Sequence, residues 1–335
     1  MRNKLMPLNE AVKKYIKDRS MILMGGFPMS RQGVVFCKEI LRQKKAGTIQ
    51  INDLVLVGGS IGFGGDLLVA EGVVDSVIST FSSHERAGLS VIIRESLEKG
   101  LPRKIKWEDE SNLTLNFRIM AGSLNLPFIP SNSGVWGDLR KSGLGNSAYT
   151  YPKNILCEDP YGSGEKVALL QAINPHVSVV HVPFADTHGN GIILGALYYD
   201  FWAGRAGKDI ILVADRIVDT EMCRHFPNMV TIPGVGVSAV VPWHLGSWPA
   251  NSPGLYGEDL EHISSFIKSS RGTTLRQYID KYVYSWETYE DYLQLIGKDN
   301  IKALETNPST ILAEPFQQWI FPDEKVKELL SGYQA

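Results

Sequence analysis

The chain has 335 residues, enough for one large α/β domain or two modest ones, and a core of that size holds without disulfide staples. Its 34 lysines and arginines balance 36 aspartates and glutamates, a net charge of −2 without any basic block able to track a phosphodiester backbone, so nucleic acid is not an expected partner. No stretch reaches the roughly 20 apolar residues of a membrane span, residues 1–19 hold no apolar leader core, and Cys37, Cys157 and Cys223 lie far apart without CxxC spacing, which together fit a reduced, cytoplasmic, membrane-free setting.

In chain order, Leu8, Ala11, Val12, Tyr15 and Ile16 recur at helical spacing and predict an amphipathic helix with Lys13 and Lys14 turned to water. A strand is expected over 21–24, then a helix over about 32–44 whose cations come late and whose end is closed by Gly47. Apolar runs at 54–57 and 76–81, separated by a short helix around Leu67, lack polar alternation and read as strands buried on both faces of a mostly parallel sheet. That pattern predicts an open, doubly wound α/β architecture. Residues 131–164, rich in Gly, Ser, Asn and Pro, read as a long loop excursion. Ordered segments are expected at 166–173, 177–182, 210–214 and 230–241, and three helices near 259–268, 274–284 and 286–295 lie in a C-terminal helical elaboration over 255–335. The whole is expected to be a single domain.

Ligands of open α/β sheets gather beyond the carboxyl ends of the strands, so the turns after strands are the first candidates. Gly25-Gly26-Phe27, followed by Arg31, permits positive φ and close approach, or simply a tight turn. Residues 57–66 complete neither GxGxxG nor GxxxxGK[ST], but they contain GxSxG as Gly58, Ser60 and Gly62. An α/β-hydrolase elbow with Ser60 as nucleophile and downstream Asp215 and His244 is one reading, opposed by the cost of starting a helix through Gly62, Gly64 and Gly65, about 1 kcal/mol each. Ser82, Ser83, His84, Glu85 and Arg86 follow a strand and offer donors for a carboxylate or carbonyl; the alternative is a solvated helix start with Ser or His capping. Trp107-Glu108-Asp109-Glu110-Ser111 places three acids where a helix begins, as dipole compensation favours. His181, Asp186 and His188 raise a metal reading, but without helical i, i+4 spacing or an evident third ligand no metal site is expected. The segment from Pro242 to Pro249, with His244 and Trp248, reads as a packed corner.

The order of Gly25-Gly26-Phe27 with Arg31, the glycine stretch ending Gly64-Gly65-Asp66-Leu67-Leu68, Glu108-Asp109-x-Ser111, Leu126-Pro127-Phe128, Ala185-Asp186-x-x-Gly189-Asn190 and Tyr292-Leu293-x-x-Ile296-Gly297 resembles the A (alpha) subunit of family I coenzyme A transferases, glutaconate CoA-transferase above all. The resemblance implies an open α/β subunit of the NagB/RpiA/CoA-transferase type, with the active site between it and a facing B (beta) subunit, in a heterodimer or heterotetramer. It implies coenzyme A as substrate rather than a bound cofactor. The attacking glutamate of such enzymes lies in a Ser-Glu-Asn-Gly type motif on the B subunit, and this chain has no such motif. The resemblance therefore implies no catalytic residue in this chain and a substrate-binding wall made of Gly25, Gly26, Phe27, Arg31, Ser82, Ser83, His84, Glu85 and Arg86. The Ser82 to Arg86 loop departs from the small polar loop of glutaconate enzymes, and Trp248 stands where relatives often carry His, which implies an altered acid pocket. A related branch opens a CoA-linked steroid ring by hydrolysis with an acidic residue matching Glu108 or Asp109, both present here.

Overall fold

The structure is a computed structural model that describes residues 2–140, 152–305 and 308–333. Helix α1 (Leu8–Tyr15) buries Leu8, Ala11 and Val12 and turns Lys13 and Lys14 outward, as its periodicity requires. Strand β1 (Met21–Met24), helix α2 (Val34–Lys45), strand β2 (Leu54–Gly58), helix α3 (Gly62–Ala70) and strand β3 (Val74–Ser79) follow the expected alternation. Helix α3 does begin through its glycines. A Cβ on Gly64 would stand 2.9 Å from Cys37 Sγ on α2, so the bare backbone lets the two helices touch, and packing outweighs the poor helix propensity.

Next come α4 (Val91–Lys99), β4 (Lys106–Asp109) and α5 (Asn112–Ser123). The acids expected at a helix start instead stand on and just after β4. The helix begins later, where Ser111 and Thr114 exchange capping hydrogen bonds. Strands β5 (Phe128–Ser131), β6 (Asn154–Glu158) and β7 (Lys166–Gln171) form a separate antiparallel sheet in the order β5-β7-β6. The expected loop excursion thus contains a strand, and 166–171 leaves the main sheet; residues 141–151 of that excursion lie outside the described residues.

Strands β8 (Val177–Asp186), β9 (Gly191–Ile192), β10 (Asp209–Val218), β11 (Val230–Ile232) and β12 (Ala239–Pro242) complete a nine-stranded sheet, with α6 (Asp200–Ala206) and α7 (Thr220–His225) between them. Its parallel body runs β12-β10-β8-β1-β2-β3-β4, and β9 and β11 add antiparallel pairing at the far end of β8. The single expected element over 230–241 is two strands, because Pro233, Gly234 and Gly236 break the ladder. Chain order reverses between β1 and β8, the kind of switch point beside which ligands of such sheets bind. The three helices expected at the C-terminus are present as α8 (Leu260–Ser269), α9 (Gly272–Ile279) and α10 (Tyr289–Ile296), joined by α11 (Lys298–Glu305) and α12 (Asp323–Ser331). Two apolar clusters flank the sheet, and α8, α9 and α10 pack into the larger. No helix among the described residues is long and apolar enough to cross a membrane.

Candidate functional site

The carboxyl ends of β1, β2, β3 and β4 lie side by side and carry most of the candidate residues. After β1 the chain turns tightly: Phe27 and Ser30 exchange backbone hydrogen bonds at 2.8 Å, and Gly26 has φ +84°. The double glycine admits parts of this same chain. Gly26 N–H donates to Asp200 Oδ1 at 2.6 Å, and a Cβ on Gly25 would stand 2.9 Å from that oxygen. Arg31, expected beside a ligand, is wholly buried; its Nη2 donates to Asp200 Oδ2 at 2.8 Å and to the Ala196 carbonyl at 2.6 Å. Its charge fastens the start of α6 against the turn. That corrects the expectation of a free guanidinium, since a buried cation must be paired.

The residue before Asp200 closes the next turn from behind. Tyr199 donates its hydroxyl to the Met24 carbonyl at 2.7 Å and accepts from Gly59 N–H at 3.0 Å. In front of it, Phe27 stacks on Tyr198 with centroids 4.9 Å apart and meets Phe81 edge-on at 5.4 Å. Sequence reasoning missed Tyr198, Tyr199 and Asp200, which sit about 170 positions from the turn they complete and belong to no local motif.

Ser60 is buried and, among the described residues, its Oγ accepts only from Gly62 N–H, at 3.4 Å. His244 and Asp215 lie beyond β12 and on β10, three to four strands from β2, hence about 14–19 Å away at ordinary strand spacing. The hydrolase triad is therefore not assembled. His244 Nε2 instead meets Glu305 at 2.7 Å, while Asp215 lies 3.2 Å from His181. Burial by itself raises the Asp215 carboxyl, yet His181 and His244 beside it hold it well below the usual carboxylate range. The metal reading at 181–190 gives way to a turn: Asp186 Oδ1 accepts from His188 and Asn190 N–H at 2.9 Å, and Asn190 Nδ2 donates to Asp186 Oδ2 at 2.7 Å.

The loop after β3 divides into two parts. Ser82 and Ser83 are half-buried at the rim, beside Thr80, whose hydroxyl donates to the Gly59 carbonyl at 2.5 Å. His84 points inward, with Nε2 2.9 Å from Asp66 Oδ2, and Ser90 donates to the same oxygen at 2.6 Å. It is an anchor within the Phe63 and Phe266 cluster rather than a pocket residue. The helix cap there is Ser90, which accepts from Ile93 N–H. Glu85 and Arg86 are exposed, and Arg86 pairs with Glu258 ahead of α8. Trp248 likewise belongs to the core, donating from Nε1 to Asp259 at 3.0 Å.

On β4 and just after it, Glu108 and Glu110 are both buried, and Arg118 of α5 pairs with each, at 2.5 Å to Glu108. Lys153 completes the group, 3.8 Å from Glu110, and burial lowers its ammonium pKa despite both glutamates. Glu110, Arg118 and Lys153 line a pocket of about 160 Å³ between α5 and the small sheet. Asp109 accepts from Trp107 Nε1 at 2.6 Å. Arg118 and Lys153 were not singled out from sequence; the i, i+8 separation of Glu110 and Arg118 crosses a strand end and a cap and so follows no single periodicity.

Residues 5–242 match the family model described as coenzyme A transferase. The A subunit of the glutaconate CoA-transferase from Acidaminococcus fermentans is 27% identical over 315 residues, covering 91% of this chain and 96% of that protein. An uncharacterized protein of Archaeoglobus fulgidus is 34% identical over 305 residues, 89% of this chain, which spans 63% of that relative's length. The crystal structure of the A. fermentans glutaconate enzyme superposes with a TM-score of 0.81 at 25% identity, covering 96% of this chain and 99% of that one. Sequence and fold agree over nearly the whole length, and the chain belongs to the coenzyme A transferase family.

Proposed function

We propose that this chain is the A subunit of a heteromeric CoA-transferase that moves coenzyme A between an acyl-CoA and a carboxylic acid, with the nucleophilic glutamate on a partner B subunit. The observation that carries this reading is the state of the carboxylates at the sheet's carboxyl edge. Around the ends of β1 to β4 the buried ones, Asp66, Glu108, Glu110 and Asp200, are each held by a histidine, arginine or hydroxyl of this same chain. None of these is free to attack a thioester. What remains is a shaped wall: Phe27, Tyr198, Phe81, Ser82 and Ser83 in front, with Gly25, Gly26, Arg31 and His84 fixing it from behind, and Glu85 and Arg86 at the solvent side.

In the proposed reaction the partner's carboxylate attacks the thioester carbonyl and expels CoA thiolate, leaving a mixed anhydride. The thiolate then attacks the glutamyl carbonyl and releases the first acid, and the acceptor acid reverses both steps. No permanently bound cofactor is needed. Assembly as a heterodimer or heterotetramer in the cytoplasm suits free coenzyme A and three unpaired cysteines.

Purified alone, the chain should show no exchange of CoA between an acyl-CoA and free acids. With its partner it should give ping-pong kinetics, and an acyl-CoA should leave CoA covalently on the partner. A CoA adduct on a side chain of this polypeptide, or full turnover by it alone, would overturn the assignment.

A further inference from the structure

Tyr198 lies in the segment between β9 and α6, which folds back over the ends of β1 and β2 beside the point where chain order reverses. The residues after it are pinned there. Tyr199 reaches the Met24 carbonyl and Gly59 N–H, and Asp200 reaches Gly26 N–H and Arg31. Asp200 N–H also donates to the Leu197 carbonyl at 2.9 Å, so the chain is tied on both sides of Tyr198. Held between these ties, Tyr198 has φ +49°, a left-handed backbone that a bulky aromatic residue rarely adopts. Arg31, at φ +50°, and Glu85, at φ +49°, share that conformation on the same wall. Strain of this kind persists only where the surrounding structure overdetermines it, and it collects at ligand sites.

The ring is held as firmly as the backbone. It stacks on Phe27 at an interplanar angle of 13°, and the Arg31 guanidinium carbon lies 5.3 Å from its centroid. Arg31 is itself fixed by Asp200 and the Ala196 carbonyl, so the ring cannot swing without disturbing a buried ion pair. The hydroxyl is the part left over. Structural tyrosines of this chain bury their rings and pair their hydroxyls: Tyr199 with Met24, Tyr256 with Ser247 N–H and Tyr292 with the Leu245 carbonyl. Tyr198 is 43% exposed, and its hydroxyl makes no hydrogen bond among the described residues. Phe27 and Phe81 beside it supply apolar surface and no competing acceptor. A donor on a locked ring, at the edge where ligands of open sheets bind, is preorganised for an acceptor that a ligand brings.

We infer that Tyr198 is a substrate-binding residue of the transferase, whose hydroxyl donates to one oxygen of the acid's carboxylate, the oxygen that remains as the acyl carbonyl once CoA is attached. This rests on the functional reading above. The test uses the chain assembled with its partner subunit, and follows CoA exchange between acetyl-CoA and acetate, crotonate, glutarate or benzoate. Tyr198→Phe keeps the ring and its stack on Phe27 and removes only the donor. For the best acid of the four, KM should rise about tenfold, the size of a lost hydrogen bond to a charged group, while kcat changes less than about twofold and the thermal midpoint stays at the wild-type value. A tyrosine that served packing alone would leave KM where it was. Exchange with an unchanged KM would overturn this inference and leave the functional reading standing. A rise in KM that vanishes with the partner subunit in excess would assign Tyr198 to assembly and overturn it as well. No exchange by the wild-type complex with any of the four acids would overturn the functional reading and this inference with it.

Discussion

Arg31 shows how a residue type can be read for the wrong job. The family resemblance puts an arginine five positions after a double glycine on a substrate-binding wall, and the carboxylate it meets is Asp200 of its own chain. Replacing Asp200 by Ala leaves a buried guanidinium unpaired and strips Gly26 N–H of its acceptor. Stability should fall by about 3–5 kcal/mol in chemical denaturation; a loss under about 1 kcal/mol would mean that water reaches Arg31 despite its burial. Arg86 is the contrasting case, since its side chain is 62% exposed and pairs with Glu258. In the proposed site Arg86→Ala raises KM for the acid about tenfold with little change in kcat, the size of a lost charge-assisted contact. An unchanged KM would leave Arg86 as a tether between its loop and the C-terminal helices.

At the scale of elements, α2 is tied to the C-terminal helices through a buried lysine. Lys38 Nζ lies 4.7 Å from the Trp248 ring and 5.2 Å from that of Tyr292, with no hydrogen-bond acceptor among the described residues. Burial lowers its ammonium to about 7. The ring faces pull the other way by about 1–2 kcal/mol, less than the desolvation they oppose. The same burial, with Lys38 beside it, brings the His262 imidazole down to about 3. Between pH 7 and the unperturbed 10.5, the unfolded chain binds a proton at Lys38 that the folded chain does not. Unfolding free energy therefore rises with pH across that window. Below 7 both states carry the proton and the desolvation cost stands in full; above 10.5 neither does and the cost is gone. Lys38→Met should flatten this rise and stabilise the protein most at the acid end, as denaturation at pH 6.5 and 9.5 would show. A wild-type profile already flat between those two values would mean that Lys38 keeps its proton in the fold.

For the molecule as a whole, the parallel body of the sheet, its flanking helices and the helical C-terminus follow from the chain itself. Runs such as Met21 to Met24 and Leu54 to Val57 have no polar face to show to water, and α1 has an unmistakable one. Family resemblance was equally legible, because glycine turns and caps are local and keep their order along the chain. Tertiary structure alone decided which side chains of those turns are buried and what they meet. His84 and Trp248 looked like pocket chemistry and are core, Glu108 looked like a helix start and is one member of a buried ion-pair group, and Ser60 and His244 stand strands apart. A cavity between β10, α10 and α12 could not be read from residues about 70 to 115 positions apart. Periodicity records whether a side chain meets water or core, whereas ion pairs, cavities and clefts depend on which distant segments the packed sheet brings together.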